Sequence, residues 1–502
     1  MEHKMRYIHE LGELFESVQL AQVFPDNKTF PDCTPKGINT EESLKEIKQR
    51  YEEQKNLSAF DLKTFVYDNF NLPHDYGVSY ISDKSKSARE HIEELWTVLT
   101  REPMAEKSSL IPLPYPYVVP GGRFGEIYYW DTYFTMLGLQ QSGKVDMIKA
   151  MVDNFSYLLY KIGHIPNANR TYYIGRSQPP FYALMLKLLS EEMGQSILTD
   201  YLPYLEKEYE FWMNGKGQIK NGIVAMNRVV KLPDGAFLNR YWDTNATPRP
   251  ESFKEDIELQ HKSEQKPEEL YRHLRAAAES GWDFSSRWFK NPEAFESIHT
   301  TDIIPVDLNC LLMYMEETLA EIHSLKKNSK TARKYQELVQ KRKEAIQRYC
   351  WNEAKGFYFD FDFTNGIQKE HYTLAGVFPL FFGVSTSAQV SKVAQVLESQ
   401  FLKAGGLLTT LLYTGQQWDA PNGWAPLQWI AYKGLKNYDF NELAQKIKNN
   451  WVNLNLKVYA QTGKMTEKYN VTDQTTEAGG GEYPNQDGFG WTNGVLLKMM
   501  TE

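Results

Sequence analysis

Cysteine is nearly missing from this chain: Cys33, Cys310 and Cys350 are the only three among 502 residues. A sparse, odd set without CxxC or metal-ligand spacing argues against a disulfide framework and fits a reducing compartment. Long apolar runs are missing too, since no segment approaches the ~18 consecutive apolar residues of a membrane span. The first residues, MEHKMRYIHELGELFESVQLAQ, carry charges where a secretory leader has its apolar centre. These absences lead to the expectation of a cytoplasmic protein that engages no membrane. A basic stripe is also lacking, and the formal charge of −8 argues against nucleic acid, whose phosphates are gripped by Lys and Arg clusters. There is no clear internal repeat, no low-complexity tract and no evident linker.

Apolar material, by contrast, is plentiful. Hydrophobic residues make up 42% of the chain and aromatics 14%, enough for a large core and too much for a disordered chain. The apolar pattern is mostly helical. Val145, Ile148, Met151, Val152, Phe155 and Leu159 recur at steps of three and four, as do Leu311, Leu312, Met315, Leu319 and Ile322. Phe440, Leu443, Ala444, Ile447 and Trp451 repeat the pattern. Further amphipathic stretches lie near 4–19, 41–55, 86–101, 179–193, 197–213, 267–279, 330–350, 388–402, 425–435 and 489–500. Short alternating pieces at 222–231, 356–362 and 456–460 read as small β hairpins. The charged stretch 251–269 reads as an exposed, mobile insertion.

Long loops separate the helices at 111–128, 164–178, 232–252, 404–424 and 472–488, and they are rich in Gly, Pro, Trp, Tyr and Asn. Loops of this length within a folded domain usually serve function. The first holds PGGRFGEIYYWDTY at 120–133, the fourth QWDAPNGWAP at 417–426, and the fifth GGGEYPNQDGFGW at 479–491. Flat Trp and Tyr faces with polar tips suit stacking on a sugar ring. The glycine-rich fifth loop lacks the strand–GxxxxGK[ST]–helix order of a phosphate loop, which excludes that mode of nucleotide binding.

Breaking a glycosidic bond takes two carboxyl groups, one protonated at the leaving oxygen and one ionised to activate water or to attack carbon. Candidates in aromatic or glycine-rich settings are Glu126, Asp131, Asp243, Glu251, Asp283, Asp419, Glu467, Glu482 and Asp487. Each has a plainer alternative as a helix cap or an ion-pair partner. Asp283 stands out in SGWDFSSRW at 280–288, between aromatics just after a helix. Apolar surroundings would raise its pKa and suit a general acid, whereas capping of backbone amides would lower it.

Taken together, these loops resemble the trehalases of glycoside hydrolase family 37. The family signatures PGGRFxExYxWDxY and QWDxPxGWxP are matched at every fixed position. The resemblance runs from LGELFESVQ at 11–19 and FPDNKTFPD at 24–32 to DGFGWTNG at 487–494, nearly the whole chain. One departure is the glycine run before Glu482, which has three residues where relatives often carry more.

The resemblance implies an all-α (α/α)6 toroid with long active-site loops. It also implies hydrolysis of α,α-trehalose to two glucose molecules by an inverting mechanism. Residues 1–502 would form one catalytic domain, with residues 1–80 as a helical extension packed on it. By motif, Asp283 would be the general acid and Glu467, in MTEKY at 465–469, the general base. Sugar contacts would come from Arg123, Phe124, Trp130, Asp131, Asn167, Arg176, Gln178, Arg249, Glu251, Gly281, Trp418 and Glu482. No metal or cofactor is called for, and the expected partner is trehalose alone, acted on by a monomer.

An inverting pair should stand about 6.5–9.5 Å apart to admit a water. The arginines should pair with Asp131, Glu251 and other carboxylates, keeping those acceptors ionised. The loop at 472–482 should close over the sugar as a lid. The rival readings are an α-glucosidase or glucoamylase-like hydrolase on the same toroid, a phosphorylase, and a catalytically silent trehalose-binding protein.

Overall fold

Two kinds of helix alternate along the chain, and the difference between them is visible in which faces are apolar. A computed structural model describes residues 7–37, 40–73, 80, 82–104, 109–220, 222–475 and 478–502. In Tyr129–Gln141, every residue from Tyr129 to Leu139 is buried. A helix that is apolar all round belongs inside a fold. Tyr182–Met193, Val306–Leu325, Phe378–Phe381, Ala425–Lys436 and Gly490–Thr501 are similarly buried. Each of these six packs on the next, and the last returns to the first, so they form a closed inner ring.

The outer helices are Ala88–Val98, Val145–Ile162, Leu202–Trp212, Ser329–Cys350, Ser387–Val396 and Asn441–Thr462. Each has one apolar stripe, turned to the ring, and a polar face to solvent. Val145–Ile162, for instance, buries Ile148, Met151, Val152, Phe155, Leu158 and Leu159. The result is the (α/α)6 toroid. Its closure depends on two glycines. A Cβ on Gly138 would lie 2.6 Å from Gly494 Cα, and one on Gly494 would collide with the Phe134 carbonyl. The first and last inner helices can therefore touch only because both positions lack a side chain.

The small sheets follow the sequence in part. Ala225–Met226 and Val229–Lys231 form the expected hairpin, and Phe237–Asn239 adds a third strand. Phe357–Tyr358 pairs with Trp351–Asn352, and Phe361–Asp362 with both Ile367–Gln368 and Ile303–Ile304. The hairpin expected at 456–460 does not exist. Those residues continue Asn441–Thr462, where Trp451, Leu454, Asn455 and Tyr459 make a helical stripe that overrides the local alternation. The stretch 251–269 is likewise no loose insertion. It forms Phe253–Gln260 and the start of Pro267–Glu279, with Asp256 and Leu259 buried, because Glu251 and Asp256 have buried arginine partners in Arg176 and Arg249.

Residues near the N-terminus gather a hydrophobic cluster of their own, around Leu11, Leu14, Phe15, Phe30, Leu44, Ile47 and Phe65. An ion-pair network joins it to the first signature loop. Lys28 bonds Asp32 at 2.6 Å and Glu126 at 2.8 Å, and Arg170 bonds Glu126 at 2.7 Å. Burial raises the Asp32 pKa, but Arg170 and Lys28 outweigh it and hold the carboxyl below its usual range. Among the described residues no helix is long and apolar enough to cross a membrane.

Candidate active site

The loops meet where several inner helices begin. Asp131 lies in the first turn of Tyr129–Gln141, QWDAPNGWAP leads into Ala425–Lys436, and Glu482 lies a few residues before Gly490–Thr501. Asp283 follows Pro267–Glu279, Arg249 precedes the turn Pro250–Ser252 and Glu251 lies within it, and Glu467 lies just beyond Gly463, which ends Asn441–Thr462. Between them opens one pocket, lined by charged side chains and by aromatic rings.

Every residue expected at the site lines this one pocket: Arg123, Phe124, Trp130, Asp131, Asn167, Arg176, Gln178, Arg249, Glu251, Gly281, Asp283, Trp418, Glu467 and Glu482. Its aromatic wall is a stack. Trp418 and Trp424 lie parallel with centroids 3.8 Å apart, Trp282 continues the stack at 5.4 Å, and Trp130 leans on Trp418 at 5.7 Å. Gly281 has φ +73°, and a Cβ there would stand 2.8 Å from the Trp130 indole. The bare glycine thus sets the place of that ring.

The carboxyl candidates sort by partner. Glu126 belongs to the N-terminal network described above. Asp243 faces Arg275 at 3.3 Å and Arg176 at 3.6 Å, while Asp487 accepts from the Met465 and Gly488 amides. Asp419 takes bonds from Ser285 Oγ at 2.7 Å and the Ser286 amide at 2.9 Å, which ties the second signature to the Asp283 segment. These four are consumed by structure. Asp131, Glu251, Asp283, Glu467 and Glu482 face the pocket.

Burial pushes the Asp283 pKa up to about 7, with Glu482 adding to the rise and Arg249 and Arg176 opposing it. Of the two outcomes that the sequence left open, burial therefore wins over capping. Glu251 goes the other way: burial raises its pKa, but Arg176, Arg249 and Arg275 more than offset this and hold it ionised. Arg176 meets it at 2.5 Å, and Arg249 holds Asp256 at 2.6 Å and Glu482 at 2.9 Å. The expected arginine partner of Asp131 is not there. Among the described residues no arginine pairs with Asp131, whose pKa is driven well above the usual range by burial and by Glu467 and Asp283. Arg123 instead stacks on Tyr483, 4.9 Å from the ring centroid.

Several polar atoms in this pocket are buried yet make no hydrogen bond to the protein: Arg123 Nε, Arg176 Nε and Nη1, and Glu251 Oε2. Buried polar atoms are rarely left this way, and this set is free to bond the hydroxyls of a polar ligand. Sequence reasoning missed part of the wall. Asp26, Asn27 and Lys28 reach the pocket from the N-terminal segment, and Ser252, Glu255 and Tyr483 line it as well. The signal for the first three was FPDNKTFPD, and for Tyr483 its place next to Glu482. Asn27 is clamped, donating to Glu255 at 2.9 Å, while Gln19 donates to the Asn27 and Pro250 carbonyls at 2.7 Å each. The lid expected at 472–482 includes residues 476–477, which lie outside the described residues.

The sequence profile of the trehalase family matches residues 22–502. A periplasmic trehalase of Escherichia coli is 48% identical over 493 residues, covering 98% of this chain and 86% of that protein. One from Shigella flexneri matches to the same degree, 48% over 493 residues. Among solved structures, the neutral trehalase of Saccharomyces cerevisiae superposes with a TM-score of 0.63 at 26% identity, over 83% of this chain and 80% of that one. A GH63 mannosylglycerate hydrolase from Thermus thermophilus, at TM-score 0.56 and 18% identity over 83% of this chain and 100% of that one, shares the fold alone. These periplasmic relatives overturn the cytoplasmic location expected from the sequence. The cysteine argument fails for a physical reason: Cys33, Cys310 and Cys350 are all buried in the core. A buried cysteine thiol behaves as a small apolar side chain, so its rarity reports on the core and says nothing of the compartment.

Proposed function

Because the chain belongs to the trehalase family, glycoside hydrolase family 37, we propose that this pocket hydrolyses α,α-trehalose to two glucose molecules with inversion at one anomeric carbon. Asp283 is the general acid and Glu467 the general base. The observation that carries the reading is that a carboxyl with a pKa of about 7 shares one pocket with a second carboxyl and a set of buried polar atoms that make no hydrogen bond to the protein. Glu467 takes a proton from water as its oxygen attacks C1 of one ring. Asp283 delivers its proton to the bridging oxygen as the C1–O bond breaks.

Arg176, Arg249, Glu251 and Glu482 form a charged grip for sugar hydroxyls, supported by Asn167 and Gln178. Arg123, Phe124, Trp130 and Trp418, with Asp131 beside them, make the other wall. Gly281 spaces Trp130. Residues 1–502 act as a single catalytic unit in which residues 1–80 are an extension that completes the pocket through Asp26, Asn27 and Lys28. The enzyme works as a monomer: Asp283, Glu467 and the sugar-contact residues all line one pocket of a single chain, so no second copy is called on for them.

Proton NMR of the first turnover tests the mechanism. Inversion releases one α- and one β-glucose per trehalose before mutarotation, and two α equivalents would refute it. Trehalose should be cleaved in strong preference to maltose; the reverse preference would favour an α-glucosidase on this fold. Gly281→Ala tests the placement of Trp130. The added Cβ displaces the indole, so kcat/KM for trehalose should fall by ~10–100-fold, the cost typical of a misplaced contact. Kinetics equal to those of the parent would remove Trp130 from the sugar-binding wall.

A further inference from the structure

Glu467 does not stand alone. Tyr483 Oη donates to its Oε1 at 2.8 Å, and the Lys468 ammonium approaches Oε2 at 3.4 Å. The Lys468 side chain is 0% exposed, which is costly for an ammonium unless it is fully engaged. It is: Nζ donates to Gln417 Oε1 at 2.9 Å and lies over the rings of Tyr483 and Trp424, 5.2 and 5.3 Å from their centroids. The same Gln417 side chain turns its Nε2 to the Asp283 main-chain carbonyl at 2.5 Å. An unbroken chain of polar contacts thus runs from one carboxyl to the segment carrying the other. It crosses three separate loops.

We propose that Lys468 and Tyr483 are positioning residues for Glu467, and that the Lys468–Gln417 bridge fixes its separation from Asp283. This rests on the reading of Glu467 as the base. A base must be ionised at working pH and must present one oxygen to the water. The Tyr483 hydroxyl and the Lys468 charge both stabilise the carboxylate over the carboxylic acid. The other carboxyls that face the pocket beside Glu467 are Asp131 of Tyr129–Gln141, Asp283 of the 280–288 segment, Glu251 and Glu482. Burial, Glu467 and Asp283 hold the Tyr483 phenol well above its usual pKa, so it stays a donor throughout. Arg123 also packs on the Tyr483 ring, 4.9 Å from its centroid.

The test is the pH profile of kcat/KM for trehalose. A carboxylate that loses a hydrogen-bond donor or a nearby cation is less favoured over its acid, so the acidic limb should move to higher pH. Tyr483→Phe should move the acidic limb up by about 0.5–1 pH unit and Lys468→Met by about 1 pH unit or more, each with a roughly tenfold lower kcat and little change in KM. Lys468→Arg, which keeps the charge, should leave the limb close to its parent position. A merely structural role would depress activity equally at every pH and leave the limb in place; that result overturns the proposal. Should Lys468→Met fail to fold, Tyr483→Phe alone decides. Glu467→Gln, measured in parallel, separates the two levels of inference. If it is inactive while the limb stays put in Tyr483→Phe, the cradle is wrong and the base stands. If Glu467→Gln remains active, the base assignment itself is wrong.

Discussion

Asp283→Asn should lower kcat on trehalose by ~10³–10⁴-fold, the upper part of the roughly 10²–10⁴-fold that general acid catalysis contributes, while the protein folds normally. The amide keeps the shape of the side chain and loses the proton. A substrate whose leaving group needs no protonation should escape the defect, so α-glucosyl fluoride should still be hydrolysed at a rate near that of the parent. Equal loss on both substrates would mean that Asp283 holds the site together and does not donate a proton.

The same variant carries a stability prediction. Burial raises the Asp283 pKa to about 7 from an ordinary value of 3.8. The folded state therefore binds the proton more tightly than the unfolded chain, and stability falls as pH rises from about 4 to 7. Above pH 7 the cost levels off at up to about 4 kcal/mol, since each tenfold gain in proton affinity on folding is worth roughly 1.4 kcal/mol. Asparagine removes that cost, so Tm of Asp283→Asn should exceed that of the parent at pH 8, with the gain fading towards pH 4. An unchanged difference across this range would mean that the carboxyl is not perturbed by burial. In catalysis the same ionisation sets the alkaline limb of the parent profile.

The sequence yields its helices more readily than their arrangement. Val145, Ile148, Met151, Val152, Phe155 and Leu159 mark one face of an outer helix, because one side meets the ring and the other meets water. The inner helix Tyr129–Gln141 has no such contrast, being buried from Tyr129 to Leu139, and no periodic stretch marked it, whereas Val306–Leu325, also in the ring, still shows Leu311, Leu312, Met315, Leu319 and Ile322 at helical steps. Ring order depends on contacts such as Gly138 against Gly494, near opposite ends of the toroid's stretch of chain. Two local readings failed for a related reason. Residues 456–460 alternate as a strand would, yet helix packing around Trp451 and Tyr459 decides. The charged stretch 251–269 looks solvent-seeking until Arg249 is found holding Asp256 and Glu482. Signature motifs brought the pocket residues into view, but not those whose importance lies in a partner from another loop. Lys468 looks like an ordinary lysine beside a glutamate, and only the fold places it against Gln417. Asn27 and Lys28 likewise gain meaning only when the N-terminal segment is seen to meet the pocket.

Glu467→Gln should be as damaging as Asp283→Asn on trehalose, again by ~10³–10⁴-fold, but the two should part company on the activated substrate. Water must be deprotonated whatever the leaving group, so Glu467→Gln loses α-glucosyl fluoride hydrolysis along with trehalose. A smaller side chain supplies the complementary test. In Glu467→Ala, azide needs no base and can occupy the space of carboxylate and water, so it should attack C1 from the face opposite the fluoride. The expected product is β-glucosyl azide with release of fluoride ion, accompanied by partial recovery of turnover. Asp283→Ala should give no such product, because its intact base still favours water on that face. The assignment of acid and base would have to be exchanged if azide instead rescued Asp283→Ala. The contrast between the two variants ties each carboxyl to one side of the scissile bond, which loss of activity alone cannot do.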